Sequence, residues 1–387
     1  MFILLKMNKN LVKKVREFYQ REFTATPIEI FSPGRINLIG EHTDYNDGFV
    51  FPAATNKGIV IALQKSTATT STVWALDKSE VLIFSQDNKQ PKETGSWKDY
   101  VYGVVSEIQK LGKQVGDFNA VFAGDIPSGS GMSSSAALEN ALVFGLNSLF
   151  DLQLSRAEMI LISQRAEHNY VGVKCGIMDQ YASMYGKENH ALLLDCKTME
   201  ATPFKIDFNP YEILLINTNV KHNLSESAYN ERRKVCEKVA KQTGVSSLRG
   251  LSLEKLYLSR NTISTEDYQK VLYVLEENRR VYHFAEAIKR KDIHTMGALL
   301  FQSHNGLRNQ YNVSCSELDF LVDKAKKNEY VIGARMMGGG FGGCTINLVA
   351  KCEIDNFKKE IATHYKNTFQ KECSFYQVSL AKGTHRI

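Results

Sequence analysis

Three short polar stretches of the chain carry residue types that chemistry can use. The first, Gly124 to Leu138, reads Gly-Asp-Ile-Pro-Ser-Gly-Ser-Gly-Met-Ser-Ser-Ser-Ala-Ala-Leu. A Gly/Ser loop feeding a helix start gathers free backbone N–H groups, hydroxyl donors and the positive end of a helix dipole in one small volume, which suits a phosphate. Gly129 and Gly131 let the chain turn and let an anion approach without a Cβ in the way. The hydroxyls of Ser133, Ser134 and Ser135 are available as helix caps, phosphate donors or a Mg²⁺ ligand. Taken alone, a serine-capped helix after a flexible turn is the commoner use of such residues. No Gly-x-x-x-x-Gly-Lys-Ser/Thr occurs, so this is not a Walker-type loop.

The second stretch runs from Arg35 through Glu41, His42 and Asp44 to Gly48. Two acids and a histidine within four positions form a candidate wall for a polyol, because carboxylates accept paired contacts from neighbouring hydroxyls. Arg35 is flanked by Ile36, Leu38 and Ile39, so it sits on a strand that half-buries it, and a half-buried guanidinium needs an anionic partner or ligand. The bland alternative, a solvated turn, suits Asp47 and Gly48 better than Arg35. In the third stretch, Cys175 to Gly186, Gly176 opens a short helix with Asp179 in its first turn. An early acid there is at least dipole stabilisation, worth about 0.3 to 1 kcal/mol, and at most a carboxylate aimed at a substrate hydroxyl. Glu167, on Arg-Ala-Glu-His-Asn, is a surface charge or, if it faces the serines, part of a Mg²⁺ site. Tyr229, at the start of a later helix, can project a hydroxyl.

The elements that must position these groups follow from periodicity. Leu11, Val12, Val15, Phe18 and Tyr19 predict an amphipathic first helix. Ile28–Phe31 and Ile36–Ile39 read as two short strands parted by a Ser32-Pro33-Gly34 turn. Alternation through Ile59–Leu63, Thr72–Leu76 and Val81–Phe84 predicts an antiparallel sheet. Trp97 opens a helical pattern, either as a core residue or as a platform for a base. A strand, Phe118 to Gly124, delivers the serine loop, and a helix follows from Ser133. Ser155 with Glu158 predicts a capping box for a helix reaching about Tyr170. Strands at His190–Asp195 and Ile213–Thr218 flank a boundary near residue 205, giving expected domains of 1–205 and 206–387. Mostly helical sequence then leads to a strand near Val331, a strand after Gly343, and a final helix and strand.

Gly338, Gly340 and Gly343 satisfy Gly-x-Gly-x-x-Gly, but Cys344 to Val349 reads as a strand where a dinucleotide fold needs a helix. These glycines are expected to let backbone approach a ligand or the first domain closely. With 43% hydrophobic and 23% charged residues the chain is an ordinary globular protein. Its net charge of +6 is spread along the chain and gives no nucleic-acid surface. Seven dispersed cysteines point to reduced thiols in a cytoplasmic protein and away from a zinc site. No apolar run reaches the roughly 20 residues of a membrane span, and the opening Met1 to Leu5 run is too short for a signal-peptide core.

Taken together, the Arg35 to Gly48 stretch, the Pro127 to Ala137 loop and the Arg335 to Gly343 stretch resemble the GHMP family of sugar and metabolite kinases, and within it the galactose-phosphorylating branch. The resemblance covers about Ile28 to the C-terminus. It implies an α+β fold of two domains, the first like domain 2 of ribosomal protein S5 and the second ferredoxin-like, with the active site between them. It further implies Asp179 and Arg35 as the catalytic pair, and Glu41, His42, Asp44, Gly176 and Tyr229 as sugar contacts. Gly129, Ser130, Gly131, Met132, Ser133, Ser134, Ser135 and Trp97 would meet ATP, and Ser135 (or Ser134) with Glu167 would hold Mg²⁺. The expected partners are thus a small sugar and ATP, with no nucleic acid or membrane and a monomer as a plausible state. A kinase of N-acetylgalactosamine, arabinose or galacturonate, or a non-catalytic galactose sensor, stays open as an alternative. The sensor would be marked by loss of Ser-Ala in the loop, and Ser134-Ser135-Ala136-Ala137 is intact.

Overall fold

The computed structural model describes residues 7–86, 95–220 and 225–387. The opening Met1 to Leu5 run and the Lys221 to Leu224 lead-in to Tyr229 lie outside them. Helix α1 (Lys9–Glu22) starts where the Asn8 side chain accepts from the amides of Asn10 and Leu11, and it buries Leu11, Val12, Val15 and Tyr19. Strand β1 (Ile28–Asn37) is one continuous strand, not two. Pro33-Gly34 makes a bulge between Pro33 and Arg35 instead of a turn. Gly34 is needed there because a Cβ would stand 2.6 Å from the Met132 carbonyl oxygen. The bulge presses Arg35 against the serine loop, with its amide donating to Met132 O at 3.0 Å.

The chain continues through β2 (Phe49–Val50), β3 (Pro52–Lys65), β4 (Ser71–Ala75), β5 (Glu80–Phe84), α2 (Trp97–Lys110) and β6 (Phe118–Gly124). Strands β1, β3, β6, β4 and β5 lie side by side in that order, all antiparallel except the β6/β4 pair. Helix α3 (Ser134–Phe150) is largely apolar and buried because it is central, touching α2, β1 and β3. Helix α4 (Arg156–Ala166) begins with the Ser155/Glu158 capping box that the sequence predicts. It does not run on as an α-helix to Tyr170: Glu167–Val171 is a π-helical turn, a rare distortion that recurs at functional sites. Then come α5 (Met178–Tyr185), β7 (His190–Asp195) and β8 (Glu200–Lys205). Helices α2 to α5 cover one face of the large sheet and α1 the other.

The second half opens with β9 (Tyr211–Asn217). Helices α6 (Ser225–Gln242), α7 (Leu253–Leu258), α8 (Thr265–Arg290), α9 (Ile293–Asn309) and α10 (Ser316–Lys327) follow. Strands β10 (Val331–Met336) and β11 (Cys344–Ala350), helix α11 (Ile354–Phe369) and strand β12 (Ser374–Gln377) complete an antiparallel sheet ordered β10-β11-β9-β12. The tail then crosses back, and β13 (His385–Arg386) pairs with β1 at the edge of the first sheet. The halves also share one apolar core, in which Ile36, Leu38 and Phe51 meet Val281, Phe284, Ile346 and Leu348. Among the described residues no helix is long and apolar enough to cross a membrane.

Candidate active site

Arg35 leaves β1 and meets Asp179, in the first turn of α5, with both arms of its fork: Nε to Oδ1 at 2.7 Å and Nη2 to Oδ2 at 2.6 Å. Its remaining Nη1 donates to the carbonyl of Gly131. One guanidinium therefore joins the catalytic candidate to the glycine loop, and the planar fork fixes both in angle as well as distance. Arg35 is 7% exposed and Asp179 22%, so the carboxylate has the more open side of the pair.

That open side belongs to a cavity of about 150 Å³ lined by Arg35, Glu41, His42, Asp44, Glu167, Cys175, Asp179, Tyr229 and Gly338, among others. Four of the five predicted sugar contacts, Glu41, His42, Asp44 and Tyr229, line this cavity. Gly176 does not line it but packs against Asp44, since a Cβ at that position would overlap Asp44 Oδ2 at 2.1 Å. Burial, reinforced by the Asp179 charge, pushes the Asp44 carboxyl up to about 7. His42 adopts a left-handed backbone at φ 63°, its Nδ1 lies 2.8 Å from the Tyr45 hydroxyl, and its ring packs at a tilt against Tyr229 and Tyr311. Burial lowers its pKa to about 3, so it is a neutral imidazole at working pH. Its buried Nε2 makes no protein hydrogen bond and can serve a ligand hydroxyl. Glu41 faces the cavity from a fixed position, its Oε1 accepting from Gly338 N at 2.9 Å and Arg335 Nη2 at 3.1 Å.

The serine loop borders the same site. Ser133 occupies the N-cap position of α3 at φ 54° but makes no side-chain cap bond, so the capping role falls away and leaves the hydroxyl for other work. Ser130 and Met132 are buried and anchor the loop, while Gly129 and Ser134 are exposed. Gly131 and Gly129 stand against the second glycine stretch: a Cβ on Gly131 would lie 3.3 Å from Met337 O, and one on Gly343 3.4 Å from Gly129 O. The close approach expected of Gly338 to Gly343 is thus an approach to the first half's loop. Trp97 is not among the residues lining the cavity. It is 6% exposed, its ring edge against Phe122 and its indole N–H donating to Glu80 at 2.9 Å.

Glu167, turned inward by the π-helical segment, accepts from the Ser135 hydroxyl, from Gln180 Nε2 at 2.7 Å and from the Cys175 thiol at 3.3 Å. Burial pushes its carboxyl up to about 7. Behind it Glu139 is fully buried, raised well above the usual carboxylate range by burial and by Glu167, and its Oε1 has no protein partner. Among the described residues no three His, Cys, Asp or Glu side chains are grouped to hold a metal by themselves. Mg²⁺ does not need that: it takes one or two carboxylates with hydroxyl, water and phosphate oxygens. The Ser135/Glu167 pair, in a pocket of carboxyls short of positive charge, fits such an ion. Glu139, Gln180 and Arg335 also belong to the site, although the polar stretches of the sequence do not single them out. Gln180 follows Asp179 directly and Arg335 opens the third glycine stretch, so their positions were signals; Glu139 lies within an apolar helix and offered only its charge.

The family profiles describing the GHMP kinases N-terminal domain, the galactokinase galactose-binding signature and the GHMP kinases C-terminal domain match residues 99–187, 17–65 and 284–367. A galactokinase of Thermotoga petrophila is 39% identical over 360 residues, covering 93% of this chain and all of that one. One of Clostridium tetani is 39% identical over 388 residues, with 98% of each chain covered. The crystal structure of Lactococcus lactis galactokinase complexed with galactose superposes with a TM-score of 0.93 at 33% identity, over 97% of this chain and all of that one. Methanococcus jannaschii mevalonate kinase, at 17% identity and a TM-score of 0.68 over 92% of this chain and 99% of that one, shares the fold. By sequence, profile and fold, the chain belongs to the galactokinase family of the GHMP kinases.

Proposed function

We propose that this chain transfers the γ-phosphoryl group of ATP to the C1 hydroxyl of D-galactose, yielding galactose 1-phosphate and ADP. The observation that carries this reading is the Arg35 fork, which ties Asp179 to Gly131 at the wall of a polar cavity sized for one small polyol. Glu41, His42, Asp44 and Tyr229 bind the sugar hydroxyls and turn O1 toward Asp179. The amides and hydroxyls of Gly129 to Ser135 bind the ATP phosphates from the first half, with Gly338 to Gly343 pressing the loop from the second.

Phosphoryl transfer passes through a loose transition state, so the protein's work is alignment and placement of positive charge. Asp179 orients O1 by accepting its hydrogen bond and takes the proton late, as the new O–P bond forms. Arg35 keeps Asp179 aimed and faces the equatorial oxygens of the transferring group. Ser135 and Glu167 would hold Mg²⁺, which when bound neutralises charge on the phosphate oxygens. The two lobes, 1–205 and 206–387, each contribute one wall of the cleft.

The test is phosphate transfer measured by coupled ADP release with free galactose, N-acetylgalactosamine, arabinose and galacturonate, the product being identified by its position of phosphorylation. Galactose should be the preferred acceptor and the 1-phosphate the product. Preference for another of these sugars, or phosphate on another carbon, would overturn the assignment.

A further inference from the structure

The sugar-contacting loop, Gly40 to Phe49, is not built to hold its own shape. Gly40, His42 and Asp47 all have positive φ, at 96°, 63° and 57°. Two of the three are not glycine, and such backbone persists only when the surroundings over-determine it. Inside the loop Thr43 is the hub: its hydroxyl is 2.9 Å from Gly40 O and 2.6 Å from Phe49 O, while its carbonyl accepts from Gly48 N at 2.9 Å. This closes the loop into a ring but does not fix where the ring sits.

The fixing comes from the second half. On α8, Glu277 Oε1 accepts the amide of Gly40 at 2.9 Å, and the very next residue, Asn278, accepts the amide of Phe49 through Oδ1 at 2.8 Å. Two adjacent side chains of one helix therefore grip both ends of the loop. One turn earlier, the Tyr273 hydroxyl donates to Glu41 O at 3.0 Å. Glu277 is fully buried and is itself fixed by Ser303 Oγ at 2.6 Å and Arg280 Nε at 2.6 Å. The loop is also shaped to the helix: a Cβ on Gly48 would lie 2.5 Å from Asn278 Oδ1. The far side of the loop is equally constrained, because Asp44 fills the space a side chain on Gly176 would need. A shift of under 1 Å at the stem is thus passed to the residues that face the sugar.

We propose that Glu277 and Asn278, with Tyr273, are positioning residues for the sugar half of the site: α8 sets where His42 and Asp44 stand relative to Asp179. The assignment rests on the sugar-kinase reading of that cavity. None of the three acts on the ATP side, whose loop is bound by Arg35 and by the second glycine stretch.

The test is steady-state kinetics of Asn278→Ala and Asn278→Asp beside the wild type, varying galactose and ATP in turn, with galactose binding by calorimetry in the absence of ATP. Wild-type turnover of galactose is measured first, and its absence would count against the proposed function itself. Given that activity, Asn278→Ala should raise the galactose KM and Kd about tenfold while the ATP KM stays within twofold. Asn278→Asp retains an acceptor oxygen and should return the galactose KM to within about threefold of wild type. A galactose KM unchanged in the alanine variant, an equal rise in both KM values, or an aspartate variant as impaired as the alanine would overturn the proposal. Should Asn278→Ala not fold, Tyr273→Phe tests the same helix face by removing one hydroxyl. A selective rise in galactose KM supports the assignment and an unchanged value overturns it.

Discussion

Glu41 Oε1 and Arg335 Nη2 lie 3.1 Å apart across the seam between the two halves, the arginine being 0% exposed. The same guanidinium donates to the carbonyls of Leu38, Asn37 and Met336, so every arm is used and three of its acceptors belong to the first half. Arg335→Met removes the cation but leaves Glu41 buried. Taking one partner from a buried ion pair costs about 3 to 5 kcal/mol, because the survivor loses its countercharge without regaining water. A fall of that size in the unfolding free energy, read from denaturant titration, is expected, together with loss of turnover, since Glu41 borders the cavity. A change below about 1 kcal/mol would show that this ion pair contributes little to the seam beside the shared apolar core.

Asp179→Ala should abolish turnover while leaving ATP binding near normal. Asp179 is linked to the serine loop through Arg35, which bonds both the carboxylate and the Gly131 carbonyl. General-base assistance contributes typically 10²- to 10⁴-fold, and lost orientation of O1 adds to that. The check is kcat beside a nucleotide titration by calorimetry or fluorescence. A kcat near wild type would remove Asp179 from the mechanism.

Much of this site was legible in the sequence because its residues are polar where neighbours are apolar. Arg35 and Asp179 stand out that way, whereas Glu167, set among Arg165, His168 and Asn169, reads locally as a surface charge and is marked only by the family resemblance. Pairing across long separations is not legible in local spacing: only the family resemblance joins Arg35 to Asp179 over 144 positions, and nothing in the sequence joins Gly40 to Glu277 over 237. Nothing local in α8 distinguishes Glu277 and Asn278 from the charged residues of an ordinary solvated helix face. Ser32-Pro33-Gly34 was misread as a turn for a related reason. Proline and glycine signal a break in the ladder, but whether the break is a turn or a bulge depends on the partner strand, here β3, and on the loop pressed against Gly34. The π-helical turn at Glu167–Val171 has no signature in the local sequence, which reads as a continuing α-helix.

Gly176→Ala should damage sugar binding more than folding. The added methyl would meet Asp44 Oδ2 at 2.1 Å and Asp44 Cγ at 2.3 Å, well inside contact distance. Gly176 has no positive φ, so the backbone itself tolerates alanine, and the strain falls on a side chain that faces the cavity. A rise of about tenfold or more in galactose Kd is expected, equivalent to roughly 1.4 kcal/mol or more. The melting temperature should fall by only a few degrees. A Kd within twofold of wild type would mean that Asp44 can move aside without consequence and is not a sugar contact.

Asp44 also makes a prediction about pH. Its folded-state carboxyl titrates at about 7 against an ordinary value of 3.8, because it is buried and because Asp179 is charged nearby. Between those values the folded protein holds a proton that the unfolded chain has released, so stability falls as pH rises. The contribution is fully present below about pH 4, declines through the interval and is gone above about pH 7, with a slope of at most about 1.4 kcal/mol per pH unit. The Asp44 share of the stability of sugar-free protein should accordingly be smaller at pH 7.5 than at pH 5.5, against an opposing rise from His42, whose lowered pKa of about 3 makes stability increase with pH up to about 6.5. Asn at position 44 carries no proton to lose, so Asp44→Asn should flatten that part of the profile. Glu167, also raised to about 7, supplies a parallel slope that the substitution leaves in place. The expected result is therefore a partial flattening, read by differential scanning calorimetry across pH 4 to 8. An unchanged slope in Asp44→Asn would show that the Asp44 carboxyl is ionised in the folded protein throughout this range.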